Sequence, residues 1–384
     1  MKQRLRLGKI SNIPIYVHWS FPLLILYFVY DGWSRGMDTI GLLWLVAFVL
    51  TIFGCVILHE LGHSLSARWY GIDTEDITLL PIGGVARLKD MPKQPWREIV
   101  VAVMGPMVNV AIAAVLLIYF LLSSHAIFAA IPEEVDGLVI NGSNFLSWLF
   151  ITNVGLVVFN CIPAFPMDGG RVLRGLLALF VRRVTATKIA SYLGRLFAIG
   201  FAVMSFMPDS SPFLILIAAF VYFAASQEYH SVRTEEALKD KTARDVMRTQ
   251  FTLLPANTGL NEISPYITTT AEQGFLVVES TPEQIDLTGV ITRPMIICAL
   301  KRYKNQQNIF EKYITPQAKY KNEGFFVSDL MNDRLRYLSP DTPLQEVYRQ
   351  MTQLHIPVMP VYENDMVIGV VDYYQIREFI KLNG

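Results

Sequence analysis

Apolar runs long enough to cross a lipid bilayer fill the first 228 residues, and they restrict this chain more than any other feature. A spanning helix needs about 20 such residues, which predicts six spans near 15–35, 40–67, 97–122, 145–166, 189–207 and 212–228, the last two close to the short limit. Hydrocarbon offers the backbone no hydrogen-bonding partner, so segments of this kind fold as helices. Basic residues set the orientation. They lie in KQRLRLGK before the first predicted span, at Arg68, Arg87, Lys89, Lys93 and Arg97 between the second and third, and at Arg171, Arg174, Arg182, Arg183 and Lys188 between the fourth and fifth. These segments alternate, and basic loops face the cytoplasm. The expectation is a multi-pass protein of the cell membrane with both termini cytoplasmic, the acidic AAIPEEVDG loop lying on the far side.

After Gln227 the pattern ends. A charged stretch at 229–241 reads as a linker, and 242–384 has the composition of a soluble α+β region. The formal net charge is zero, which gives no sign of nucleic-acid binding. Three cysteines, Cys55, Cys161 and Cys298, make no disulfide framework. The basic stretch 1–14 and the apolar run after it lack the small-residue cleavage site of a signal peptide.

Within the second predicted span, ILHELGHSL places two histidines and a carboxylate where polar groups are costly and mark function. Positions four apart share a helix face, so His59 and His63 can grip one Zn2+, with Glu60 beside them as general base. Zinc at a catalytic site takes a third protein ligand and keeps one position open. Cys55, one turn before His59, is chemically able to serve but reads better as a small apolar filler. Asp168, in NCIPAFPMDGGR, is the stronger candidate, because Pro163, Pro166, Gly169 and Gly170 open the helix around it. His59 lies nine residues before Arg68, roughly 13 Å of helix at 1.5 Å per residue. Asp168 lies three residues before Arg171, so both motifs fall in the same half of the membrane.

Together, HELGH in one span and NCIPAFPMDGGR in a later one resemble the site-2 protease family of intramembrane zinc metalloproteases. GGVARL (83–88) and GPMVN (105–109) resemble further family elements in the expected order. The resemblance covers residues 1 to about 228. It implies His59, His63 and Asp168 as zinc ligands, Glu60 as general base and Asn160 as a polar group facing the substrate or an oxyanion. The residues alone leave a second reading for Asn160, a helix–helix hydrogen bond at a kink. ITLLPIGGVARL is expected as a short membrane-edge hairpin that holds an unwound substrate by strand addition.

From 242 onward two similar units appear, at about 242–304 and 325–384. RDVM and SDLM lead into them, and GVIT and GVVD recur near their ends. The pattern resembles a tandem pair of cystathionine-β-synthase-type (CBS) domains. That implies an adenine nucleotide between the units, with Thr292 and Asp372 as contacts, and leaves open a homodimer through the CBS domains. Members often carry an Asp three positions after the Thr of GVIT. Here Met295 and Gln375 stand at those places, so a packing module without ligand is an equal alternative. The function expected is cleavage of a single-span or membrane-associated protein substrate within the bilayer, modulated by the CBS pair. The alternatives are a CBS-regulated metal-ion transporter and a catalytically inactive binding protein. Polar residues concentrated on the cytoplasmic half favour the protease over a transporter, which needs a path across the midplane.

Overall fold

The computed structural model describes residues 4–89, 92, 94–123, 140–207, 213–259, 262–270, 272–280, 285–301, 326–333, 335–364 and 366–383. The AAIPEEVDG loop and most of the connection between the two CBS units lie outside these residues. The chain divides into two compact units, Met1–Val232 and Arg233–Gly384.

The first unit begins with a sheet that the sequence reading missed. β1 (Arg4–Ile10) and β2 (Ile13–His18) form an antiparallel hairpin. Ser11 and Asn12 at its turn both have positive φ, the backbone twist that favours a two-residue hairpin. β2 then pairs in parallel with β3 (Thr74–Leu80), and β3 pairs antiparallel with β4 (Gly83–Leu88). The sheet order is β1-β2-β3-β4. The expected hairpin at 77–88 is therefore one edge of a four-stranded sheet. The residues read as a basic N-terminal stretch and the start of a first span are its other half. The alternation in RLRLGKI and IPIYVH is a strand signal, and it shortens the first helix, α1, to Phe21–Ser34.

The helices that follow carry the site. α2 (Thr39–Arg68) starts at Asp38, whose side chain accepts from the Gly41 amide at 2.9 Å. α3 spans Pro95–Ser123, α4 Phe145–Asn160, α5 Asp168–Leu177, α6 Arg183–Met204 and α7 Phe213–Leu238. Among the described residues three helices, α2, α3 and α6, are long and apolar enough to cross a membrane, and α4 is apolar but shorter at 16 residues. The fourth predicted span, drawn to 166, stops at Asn160 because Pro163 and Pro166 cannot continue a helix. Asp168 instead opens a separate helix, α5. The stretch expected as a linker from 229 is helical to Leu238, since its Glu, Arg and Ala residues are good helix formers.

A buried ion cluster ties α5 to its neighbours. Arg174 is fully buried; its Nε donates to Glu98 Oε1 on α3 at 2.6 Å, and its Nη1 donates to Glu228 Oε1 on α7 at 2.6 Å. Its guanidinium also lies over the Phe165 ring, 4.8 Å from the centroid.

The second unit holds two like halves. After a 3-10 turn at Ala243–Asp245, the first half runs β5 (Leu253–Pro255), α8 (Ser264–Thr269), β6 (Gly274–Ser280), β7 (Ile285–Thr292) and a helix α9 at 293–301. The second, after a turn at Val327–Asp329, runs α10 (Leu344–Leu354), β8 (Val358–Glu363), β9 (Met366–Asp372) and α11 (Tyr373–Asn383). The leading segments cross over. Ala243 packs with Leu344, Val347, Met359 and Val371 of the second half, whereas Val327 packs with Leu254, Phe275, Val277 and Ile291 of the first. Backbone pairings agree: Arg248 bridges to Val370, and Asn332 to Val290. Each repeat is completed by the other's leading segment.

Candidate metal centre

His59 and His63 lie on α2, one turn apart and both buried. The α3 backbone can come close to the His63 ring only because residue 105 is glycine: a Cβ there would sit 2.2 Å from Nε2. Asp168, the first residue of α5, reaches the same point. Its Oδ2 is 3.2 Å from His59 Nε2 and 3.2 Å from His63 Nε2, and the two Nε2 atoms are 3.2 Å apart. Among the described residues these three form the group of potential ligands whose donor atoms all lie within 4.8 Å of one another.

The partners on the far side of each ring fix the chemistry. His63 Nδ1 lies 2.7 Å from the Val101 carbonyl oxygen, which only accepts, so Nδ1 carries the proton and a neutral ring turns its Nε2 lone pair inward. His59 Nδ1 lies 2.7 Å from Asn109 Oδ1, with the same consequence. Asn109 is oriented in turn by its Nδ2, which donates to Asn153 Oδ1 at 2.9 Å. Two lone pairs and a carboxylate oxygen thus face one point. Tetrahedral ligands about 2.0–2.1 Å from zinc are separated by roughly 3.3–3.4 Å, close to the observed spacings, so the residues fit a zinc ion.

Glu60 points from α2 toward the sheet, and its Oε2 accepts from the Ala86 amide of β4 at 3.0 Å. A cavity of about 290 Å³ brings these groups together, lined by His59, Glu60, His63, Gly84, Asn160 and Asp168 among others. Asn160, half-buried at the end of α4, lines this cavity, and its side chain makes no hydrogen bond among the described residues. Cys55 is buried beside Asn153, whose Nδ2 lies 3.7 Å from its sulfur, and takes no part in the ligand group.

The sequence reading missed Asn109, Asn153 and the Val101 carbonyl. Asn109 stood in GPMVN, and an asparagine at that depth was itself the signal. A backbone carbonyl carries no signal in sequence.

A model of peptidase family M50 matches residues 47–206, and a CBS-domain model matches residues 327–382. Zinc metalloprotease MJ0392 of Methanocaldococcus jannaschii is 36% identical over 280 residues, which cover 73% of this chain and 76% of that one. The chain belongs to peptidase family M50. The M50 relatives include a putative zinc metalloprotease of Synechocystis, sll0528, 31% identical across 69% of this chain and 70% of its own. The solved site-2 protease from M. jannaschii matches with 36% identity and a TM-score of 0.44, covering 59% of this chain and 95% of that one. This M50 chain is accordingly a zinc metalloprotease of the site-2 protease family with a C-terminal CBS pair.

In the CBS pair, Thr292 and Asp372 stand at equivalent strand ends. Thr292 Oγ1 receives the Met295 amide at 3.4 Å. Asp372 receives the Gln375 amide at 2.8 Å and pairs with Arg248 at 3.1 Å. Both side chains cap the helix that follows.

Proposed function

We propose that this chain hydrolyses a peptide bond in or near a transmembrane helix of a membrane-bound protein, using His59, His63 and Asp168 to hold one zinc ion. The observation that carries the reading is the convergence of His59 Nε2, His63 Nε2 and Asp168 Oδ2 at 3.2 Å spacing beside Glu60. When bound, zinc polarises the peptide carbonyl and makes water a nucleophile near neutral pH.

Glu60 takes the proton of the attacking water and delivers it to the leaving amine. Asn160, on the cavity wall with its amide unengaged, donates to the oxygen on which charge develops; loss of such a donor costs about 100-fold or more in rate. A helical peptide bond is shielded by its own hydrogen bonds, so the substrate must unwind, and the free edge of β4 offers backbone partners to an extended segment. This reading keeps six membrane passes and cytoplasmic termini as its topology, with α1 and α4 spanning despite their length by local thinning of the bilayer.

The CBS pair modulates cleavage in this proposal, by a ligand that prefers one of two arrangements. A ribose bound at Asp372 has to displace Arg248, which pairs with that carboxylate. The test of the function is co-expression with single-span membrane proteins, comparing wild type with Glu60→Gln. Cleavage by wild type alone supports it. Equal cleavage by both assigns the cut to another enzyme and removes the proposal.

A further inference from the structure

Glu60 is held by the strand expected to bind the substrate, and this has a consequence for both. β4 is an edge of its sheet. Against β3 its register pairs Leu80 with Gly83 across the two-residue turn, then Leu79 with Gly84, Thr78 with Val85 and Ile77 with Ala86. Bonded and non-bonded positions alternate along an antiparallel pair. With the Leu80–Gly83 pair closing the turn, Val85 faces β3, and Gly84 and Ala86 turn their amides and carbonyls to the open edge. These are the groups an added strand needs.

Neither position is independent of Glu60. The outward amide of Ala86 donates to Glu60 Oε2 at 3.0 Å. At Gly84 a Cβ would lie 2.9 Å from Glu60 Cγ and 2.8 Å from Val56 Cγ1, so any larger residue there drives into the Glu60 side chain. One edge amide anchors the carboxylate, and one missing side chain makes room for its stem.

We propose that Ala86 and Gly84 are positioning residues for Glu60. The Ala86 amide fixes Oε2 and leaves Oε1 for proton transfer. A substrate strand added to β4 pairs at Gly84 and leaves the Ala86 amide with Glu60, which sets the register of the substrate against the base. The inference rests on Glu60 as the proton-transfer group.

Proline at 86 removes this amide and no ladder bond, because the residue faces away from β3, and an edge strand tolerates proline there. Ala86→Pro, Ala86→Gly, Gly84→Ala and Glu60→Gln are to be compared in the full-length protein. The substrate is a single-span membrane protein that the wild type cleaves, with zinc content measured for each variant. Expected are retained zinc, a kcat lower by roughly 10- to 100-fold in Ala86→Pro, as for a small misplacement of a catalytic group, and a KM within about twofold, the amide serving Glu60 and not the substrate. Ala86→Gly keeps the amide, so its kcat is expected to fall less than that of Ala86→Pro. Wild-type kcat in Ala86→Pro overturns the inference. So does a raised KM with unchanged kcat, which gives the amide to the substrate. If Ala86→Pro fails to fold, Gly84→Ala decides: it keeps every amide, and wild-type kcat there overturns the inference equally. An active Glu60→Gln removes the assignment of Glu60 as base, a failure distinct from these.

Discussion

His59 and Asn109 meet across two helices, with Nδ1 2.7 Å from Oδ1, and Asn109 is held in turn by Asn153 at 2.9 Å. Both asparagines are fully buried, so the bond is neither traded with water nor free to rotate. Such a partner fixes which ring nitrogen carries the proton and so which one is offered to a metal. Asn109→Ala is expected to lower zinc affinity by about 10- to 100-fold, the range for partners of metal-bound histidines. Competition against a chelator of known affinity measures it, and an unchanged constant removes this role from Asn109.

Asp168 and Cys55 are separated by the same measurement. Asp168→Ala is expected to lose most bound zinc. Cys55→Ala is expected to keep it, because the thiol touches Asn153 and not the ligand group. The opposite pattern places the metal on α2 alone.

Arg174 is fully buried and pairs with the buried Glu98 and with the partly exposed Glu228. Removing one partner of a buried pair strands a charge, at a cost of about 3–5 kcal/mol. Arg174→Met is therefore expected to be strongly destabilised. Glu98→Gln in the Arg174→Met background is expected to recover part of the loss, because the stranded carboxylate is gone. Thermal unfolding in detergent reads both, and a double variant less stable than Arg174→Met contradicts the account.

Asp76 in β3 gives an acid limb to stability. Burial raises its carboxyl, but hydrogen bonds from Arg87 and Thr78 and the charges of Arg87 and Arg4 outweigh that and leave it below the ordinary value. A depressed folded value contributes stability that is fully present above the unfolded value near pH 4 and is lost as pH falls through the folded one. Unfolding followed from pH 6 down to pH 3 is expected to show this loss in wild type. Asp76→Asn is expected to be less stable at pH 6 and to flatten the profile; an unchanged profile contradicts it.

Control by the CBS pair predicts that ending the chain after Val232, at the division between the two units, changes the cleavage rate and leaves zinc bound. A folded truncated enzyme with the full-length rate, with and without added nucleotide, makes the CBS pair a docking or assembly module instead.

What the sequence determined by itself is local. The spacing of His59 and His63, the prolines and glycines that release Asp168 from a span, and the repeated leading and closing motifs of the CBS pair each act over a few residues. Helix periodicity and backbone restriction hold there whatever surrounds them. The tertiary structure decided which distant groups share one space. His59 turns to Asn109, 50 residues on, and Glu98 finds Arg174 across 76. Each CBS half accepts the other's leading segment, and the strand alternation of Arg4–His18 becomes half of a sheet only when β2 finds β3. Pattern fixes the face a residue presents, but its partner follows from how faces pack, and close packing with satisfied buried polar groups is a property of the whole fold.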